Sequence, residues 1–463
     1  MAELATRPVR RTARFAGAAA LARELDYDSL PADVVALALR CLTDLIGVGA
    51  AGARTPAAAI VNAYASTQMC GRDREARILF DGRRASIAGA AFAGASTIDA
   101  IDAHDGHVLT KGHAGVALLP ALLAYVDGGV GRGKRIDGRE FVTCLVLGYE
   151  LATRAGIALH ASTSDYHCSG AWNALACAAL GGRLLDLDER RMNDALGIAE
   201  YLGPRGQILR VCAQPTMLKD GSGWGGHAGV TAALLASEGF TGAPALTVEA
   251  DEVRALWSDL GQRWRIREQY FKAYPVCRWA QPAVEAALSL KRAYRFDADD
   301  IVAIGIESFR EAIDLGSRCR IPATTDEAQY NLPFPVAAAL VFGRVGAAEI
   351  GATGLSDPRI ARLLATFSLC EDEAFSSRFP TERWARVRIG LADGRSLVSD
   401  PAQARGGAER PLSDEEIGAK YRELAEPVLG QRRCARIAAL VGSLPVDAAA
   451  LPALVDELLS PLG

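Results

Sequence analysis

From residue 12 to about residue 265, apolar residues recur at three- and four-residue spacing, the period of helices that turn one face to a core. Start signals punctuate the stretch: Ser29 ahead of Pro31 and Thr55 ahead of Pro56 predict helix N-termini. The runs SIAGAAFAGASTIDAIDA (86–103) and SGAWNALACAALGGRLLDLD (169–188) carry small residues on several faces, so their helices are expected to pack closely and to be buried on more than one side. After about Pro282 the period changes. IVAIGIESF (301–309) alternates as a strand does, and RWARVRIGLADGRSLVSD (383–400) reads as two strands joined through Asp393-Gly394, a hairpin signal. Between them, EAQYNLPFPVAAALVFG and DPRIARLLATFSL read as helices. Helical spacing resumes at Ser413, which makes a capping box with Glu416. The fold class is therefore mostly α: a large all-α domain over 1–278, a smaller α+β domain over 279–408, and C-terminal helices over 409–463 that are expected to rejoin the first domain.

Composition narrows the classes. Half of the 463 residues are apolar, enough for a large core in a soluble protein, and a net charge of -4 leaves no general field for nucleic acid. Ten cysteines are scattered without a C-x-x-C pair, which points to reduced thiols in the cytoplasm rather than a disulfide framework or a zinc ribbon. Arg7, Arg10, Arg11 and Arg14 precede the apolar run AGAAALA, but Arg23, Glu24 and Asp26 follow it at once, so an amphipathic first helix is expected instead of a signal peptide. The chain has no uninterrupted apolar run of the roughly 18 residues of a membrane span.

Two glycine patterns match nucleotide loops by spacing alone. Gly47-Val-Gly-Ala-Ala-Gly52 fits G-x-G-x-x-G, yet it follows a helical pattern where the fingerprint needs a strand, so a glycine-rich helix exit is expected. Gly128, Gly133 and Lys134 space as a phosphate loop, but Arg135 stands where a metal-binding Ser or Thr is required.

The chemistry concentrates elsewhere. All six histidines lie between residues 104 and 227, and His104, His107 and His113 share the run HDGHVLTKGH with Asp105 and Lys111, with Asp102 just ahead of it. Histidine exchanges protons near neutrality, so this is a candidate proton-transfer site. A metal reading lacks H-E-x-x-H spacing, and no metal ligand set is assigned. Three distant segments add candidate groups: His167 in DYHCSG just before a helix, Lys219 in TMLKDGSGWGGHAG at a glycine-rich helix start, and Lys272 with Arg278 in YFKAYPVCRWAQP around a turn. Cations beside a His/Asp cluster suit a di- or tricarboxylate.

Taken in order, these segments resemble the MmgE/PrpD family, from about residue 15 to beyond 430. AIDAHDGHVLTKGHAGVALLPALLA is similar to the family's A-x-D-F-D-D-T…H-P-S…P-A-L-L-A, FKAYPVCR to its [FL]-K-x-[YF]-P-[SA]-C-R, and EAQYNLPFPVAAAL to E-A-Q-F-S-x-P-Y-x-V-A-A-A-L. His104 stands in place of the middle aspartate, Gly106 in place of the threonine, Ala114-Gly115 in place of Pro-Ser, and Phe334 where a tyrosine is common. The resemblance implies a large helical domain built from both chain ends, a smaller lid-like α+β domain, a cleft site between them, a homodimer, and no required cofactor. It implies Asp102, His113, His167, Lys219 and Lys272 as catalytic residues; Asp105 and Arg278, which also match its motifs, and His104, His107 and Lys111, which stand apart from them and mark a subgroup with its own substrate, are the expected substrate-binding residues. The activity it implies is a lyase acting by acid/base chemistry on a small anionic carboxylate, with dehydration of a hydroxy-polycarboxylate ahead of decarboxylation or epimerisation. A non-catalytic helical ligand-binding protein is the reading of another class.

Overall fold

The computed structural model describes residues 14–131, 136–315 and 321–463. Arg7, Arg10 and Arg11, the glycine-loop residues Gly133, Lys134 and Arg135, and Cys319 lie outside the described residues.

The protein is mostly helical. Its core is built by α1 (Ala32–Gly52), α2 (Ile87–Asp99), α3 (Gly115–Asp127), α4 (Gly138–Ser162), α5 (Gly170–Leu184), α6 (Glu189–Leu202) and α7 (Ser222–Ser237). Helix α7 packs against both α5 and α2, α3 against α2, and α4 against α5. The small residues of α2 and α5 let these axes approach, which is why their sequences show no polar face. Both α1 and α4 are long and apolar enough on average to cross a membrane, a property that a count of uninterrupted apolar residues passes over; the apolar stretch of α4 is wholly buried within the protein.

Helix starts follow local chemistry. Thr55 caps the Pro56–Gln68 helix by accepting from the Ala58 N–H, and Ser86 caps α2 by accepting from Gly89. Ser29 does not cap α1. It ends a short 3-10 turn, where its N–H donates to Asp26 Oδ1 at 2.9 Å, and α1 starts behind Pro31 without a side-chain cap. Gly47–Gly52 forms the closing turns of α1, so the nucleotide-loop pattern lies inside a helix instead of in a loop that follows a strand.

Beyond α8 (Gln281–Ala293) and its partner α9 (Pro333–Phe342), which pack on each other, the strands gather into one sheet. Its members are β3 (Ile301–Ser308), β4 (Phe367–Glu371), β5 (Trp384–Leu391), β6 (Ser396–Val398) and β7 (Ala402–Gln403), after the two-residue strands β1 (Gly106–His107) and β2 (Gln269–Tyr270) of the helical part. Strand β3 pairs parallel with β4 and antiparallel with β5; β6 and β7 both pair antiparallel with β5. The run DPRIARLLATFSL is a helix only over Pro358–Leu364, since its last residues enter β4. Helix α10 (Asp414–Leu429) opens on the Ser413–Glu416 capping box and lies along α1.

Candidate active site

The loop between α2 and α3 carries six of the ten sequence candidates, and the β1–β2 pairing sets it in place. Gly106 opposes Tyr270 and His107 opposes Gln269, which brings Lys272, two residues further on, beside Asp102. A Cβ at Gly106 would meet the Tyr270 hydroxyl at 2.5 Å and His113 Nδ1 at 2.8 Å, so the tyrosine ring takes the room a larger residue would fill.

Around this contact lies a small cavity lined by Asp102, Lys111, His113, Asp220, Tyr270, Lys272, Arg278, Tyr330 and Arg383, with Ile208, Cys212, Cys277 and Trp279 as its apolar part. Its free volume is about 40 Å³, space for about three waters.

The Lys272 ammonium donates to Asp102 and stands 3.5 Å from His113 Nε2. Burial alone would raise the Asp102 carboxyl, but the Lys272 ammonium, by its charge and its hydrogen bond, overrides it and holds the group well below the usual carboxylate range. Asp102 in turn stabilises the ammonium, whose pKa lies above its ordinary value despite burial. His113 donates from Nδ1 to the Asp105 carbonyl at 2.5 Å, which leaves the Nε2 lone pair facing the lysine and Asp220. Burial, with Lys272 and His104 adding, drives the His113 pKa well below 6.5, so the ring is neutral and free to accept a proton.

Asp220 Oδ2 lies 3.3 Å from His113 Nε2 and accepts from Ser169 Oγ at 3.1 Å. Its Oδ1 is buried without a hydrogen-bond partner among the described residues. Burial, with Asp99 and Asp102 adding, pushes the Asp220 carboxyl up to about 7. Here a neutral base and a carboxyl that titrates near neutrality share one wall.

Of the sequence candidates, Asp102, Lys111, His113, Lys272 and Arg278 meet at this cavity. Arg278 donates to the Arg405, Ala404 and Phe271 carbonyls and lies 4.5 Å above the Tyr270 ring; burial lowers it to about 10. Lys219 stands just behind Tyr330, paired with Asp326 at 3.0 Å and donating to Gln329 Oε1 at 2.9 Å. Gln329 Oε1 also accepts from the Asp102 N–H, so the EAQYN segment ties the lysine to the site loop.

The other four stand off the wall. His104 is fully buried behind His113, ring against ring at 4.3 Å, with Nε2 3.4 Å from Asp99 and, among the described residues, no hydrogen bond at either nitrogen. Asp105 accepts from Tyr149 and from the Gly115 N–H, which holds the loop against α4 and α3. His107 bonds Glu268 at 2.9 Å on the far side of the β1–β2 contact. His167 is partly exposed, stacked on His160 at 6.4 Å, and takes no part in the cavity lining. Asp102, His104 and His113 can bring one ligand atom each within 4.8 Å of the others, the span of a metal site. The Lys272 ammonium already occupies the space against Asp102 and His113, where an ion would need to bridge them.

Sequence reasoning passed over Asp220, Tyr270, Tyr330 and Arg383. Asp220 directly follows Lys219, and Tyr270 and Tyr330 sit inside motifs whose other residues carry the signal; Arg383 opens a strand and gave none.

Residues 17–259 match the family model described as the MmgE/PrpD N-terminal domain, and residues 274–444 match the MmgE/PrpD C-terminal domain. The chain is 25% identical over 460 residues to the cis-aconitate decarboxylase-like protein oryM of Aspergillus oryzae, covering 92% of this chain and 93% of that protein. It is 26% identical over 455 residues to a cis-aconitate decarboxylase of Aspergillus terreus, covering 91% of each.

Proposed function

The chain belongs to the MmgE/PrpD family, both of whose domains it carries in order, and from that premise we propose that it is a lyase working by acid/base chemistry on a small polycarboxylate. The observation that carries this reading is the joining of neutral His113, the Asp220 carboxyl near 7 and the Asp102–Lys272 pair with further cations around one cavity. Decarboxylation comes first, because two relatives aligned over more than nine-tenths of the chain are named a cis-aconitate decarboxylase and a cis-aconitate decarboxylase-like protein. Carbon–carbon cleavage releases carbon dioxide and leaves an electron pair on carbon. Lys272 offsets that charge, and protonated Asp220 supplies the proton that completes the product. Dehydration is the second reading, favoured by the presence of a base as well as an acid: His113 Nε2 takes the proton next to a carboxylate and Asp220 protonates the departing hydroxyl. His167 and Lys219, which the family resemblance implies, then act from behind the wall or after the cleft rearranges. The free volume is far below the roughly 300 Å³ of an occupied ligand pocket, so binding requires the walls to part. On the same reading the 279–408 segment serves as the lid, and the enzyme works as a cytoplasmic homodimer.

The test is to incubate the purified protein with cis-aconitate, citrate and 2-methylcitrate, following carbon dioxide and alkene absorbance together. Carbon dioxide release supports decarboxylation; alkene formation without it supports dehydration. In either case His113→Ala should lower turnover by about a hundredfold or more. Near-normal turnover in that variant removes His113 from the mechanism, and silence of the wild type across a wider acid panel favours a binding protein.

A further inference from the structure

Four arginines are buried among the described residues: Arg154, Arg265, Arg278 and Arg383. Three have acceptors. Arg154 pairs with Asp259 and Glu150, Arg265 with Glu268, and Arg278 donates to three backbone carbonyls. Arg383, just ahead of β5, has neither an ion pair nor a hydrogen bond among the described residues, and its Nε is buried without a partner. Its guanidinium lies 5.8 Å from the Phe379 ring centroid, a contact that offers a π face but no acceptor. Guanidinium keeps its charge at any ordinary pH, so a buried one without an anion is a standing penalty on the ligand-free protein.

Lys111 completes the arrangement. It holds a left-handed backbone with φ of 51°, uncommon for a residue with a side chain, and so brings its ammonium over the Tyr166 ring at 4.2 Å. Its best oxygen contact is the Leu109 carbonyl at 3.5 Å. Burial lowers the Lys111 pKa, and the positive charge of Arg383 lowers it further. The two cations repel each other in a cavity whose carboxylates, Asp102 and Asp220, are beyond ion-pair reach of either and are engaged with Lys272 and Ser169.

We propose that Arg383 and Lys111 form the anchor for a substrate carboxylate that does not react, Arg383 gripping it with two parallel N–H groups and Lys111 adding a point charge. Resting on the polycarboxylate reading above, this assigns the cavity two functions. The cation pair holds one carboxylate, and the His113–Asp220–Lys272 group meets the reacting carbon. Because Arg383 comes from the sheet and Lys111 from the helical loop, a bound carboxylate also bridges the two parts of the molecule.

Isothermal titration of the full chain with cis-aconitate, citrate and butyrate tests the assignment, comparing wild type with Arg383→Met, Arg383→Lys and, as a control for general charge, Arg388→Met on the exposed side of β5. Wild type should bind both polycarboxylates and discriminate against butyrate. Loss of a charge-assisted bond should weaken cis-aconitate binding by about ten- to a hundredfold in Arg383→Met and erase much of that discrimination. Arg383→Lys should fall between, and Arg388→Met should match wild type. Removing an unpaired buried cation should leave the melting temperature of unliganded Arg383→Met at or above that of wild type. Wild-type affinity in Arg383→Met, or weakened affinity together with a lowered melting temperature, overturns the anchor. Failure of wild type to bind any polycarboxylate instead overturns the functional reading on which the anchor rests.

Discussion

A carboxyl held near pH 7 has two separable signatures, and Asp220 should show both. Its folded pKa is raised from 3.8 to about 7 by burial and by its two acidic neighbours, so the native state disfavours the ionised form. The penalty is absent where the group is protonated in both states, below the unfolded value, and it grows as pH rises toward the folded value, reaching its full size above about 7. At 1.36 kcal/mol per unit the penalty is bounded at about 4 kcal/mol. Asp220→Asn should therefore stabilise the protein more at pH 8 than at pH 5, read as the difference in melting temperature from wild type at each pH. If Asp220 is the acid, wild-type turnover should fall as pH rises through about 7, and the variant should lose that limb along with most of its rate. A pH-independent difference in melting would deny the raised pKa. This residue was hidden in the sequence because it adjoins Lys219, the more conspicuous cation, whose side chain is occupied by Asp326 and Gln329. His113, Lys272 and Asp102 were legible because histidine, lysine and aspartate at motif spacing announce proton transfer. Arg383 was not, because an arginine opening an amphipathic strand resembles any solvated edge residue until burial is known.

At the scale of elements, periodicity carried most of the reading, and the errors fall where two signals compete. Ser29 was a reasonable cap by residue type, but Asp26 captured its N–H and Pro31 fixed the start of α1. The helix pattern of DPRIARLLATFSL ran into β4 because a short apolar tail fits either period, and pairing with β3 decides it. The glycine pattern of α1 shows how a motif is resolved by its surroundings. A Cβ at Gly52 would meet the Thr97 carbonyl oxygen of α2 at 1.9 Å, a backbone atom that cannot turn aside. At Gly49 the nearest atoms are Ile98 and Leu79 side-chain carbons at 3.3 Å, which can shift by a few tenths of an ångström. Helix propensity alone would reward alanine at either site by about 1 kcal/mol. Chemical unfolding should separate the two: Gly49→Ala within about 1 kcal/mol of wild type, and Gly52→Ala destabilised by about 3 kcal/mol as α1 is forced off α2. Equal effects would mean that the helices do not cross at Gly52.

The whole molecule is closed by contact between its two ends, and one ion pair marks the seam. Lys420 on α10 lies 2.6 Å from Asp44 on α1 and donates to the Ala103 carbonyl at 2.6 Å, inside the loop that carries Asp102 and His113. Asp44 is fully buried; burial raises its pKa, and Lys420 is the chief influence opposing that rise, ahead of His104 and Lys272. A C-terminal helix therefore neutralises an N-terminal carboxylate and steadies the site loop with the same ammonium. Removing only the lysine leaves a buried carboxylate to be protonated or exposed, whereas removing both charges leaves neither problem. Lys420→Met should cost about 3 kcal/mol of stability, with the loss growing as pH rises, because Asp44 must then hold or release a proton without its partner. The double variant Lys420→Met with Asp44→Asn should regain most of that stability in denaturant titration. It should not regain full turnover, because the hydrogen bond to Ala103 is still missing and the Asp102–His113 loop has lost its tether. A double variant no more stable than the single one would show that the seam is held by the packing of α10 on α1, with the ion pair a passenger.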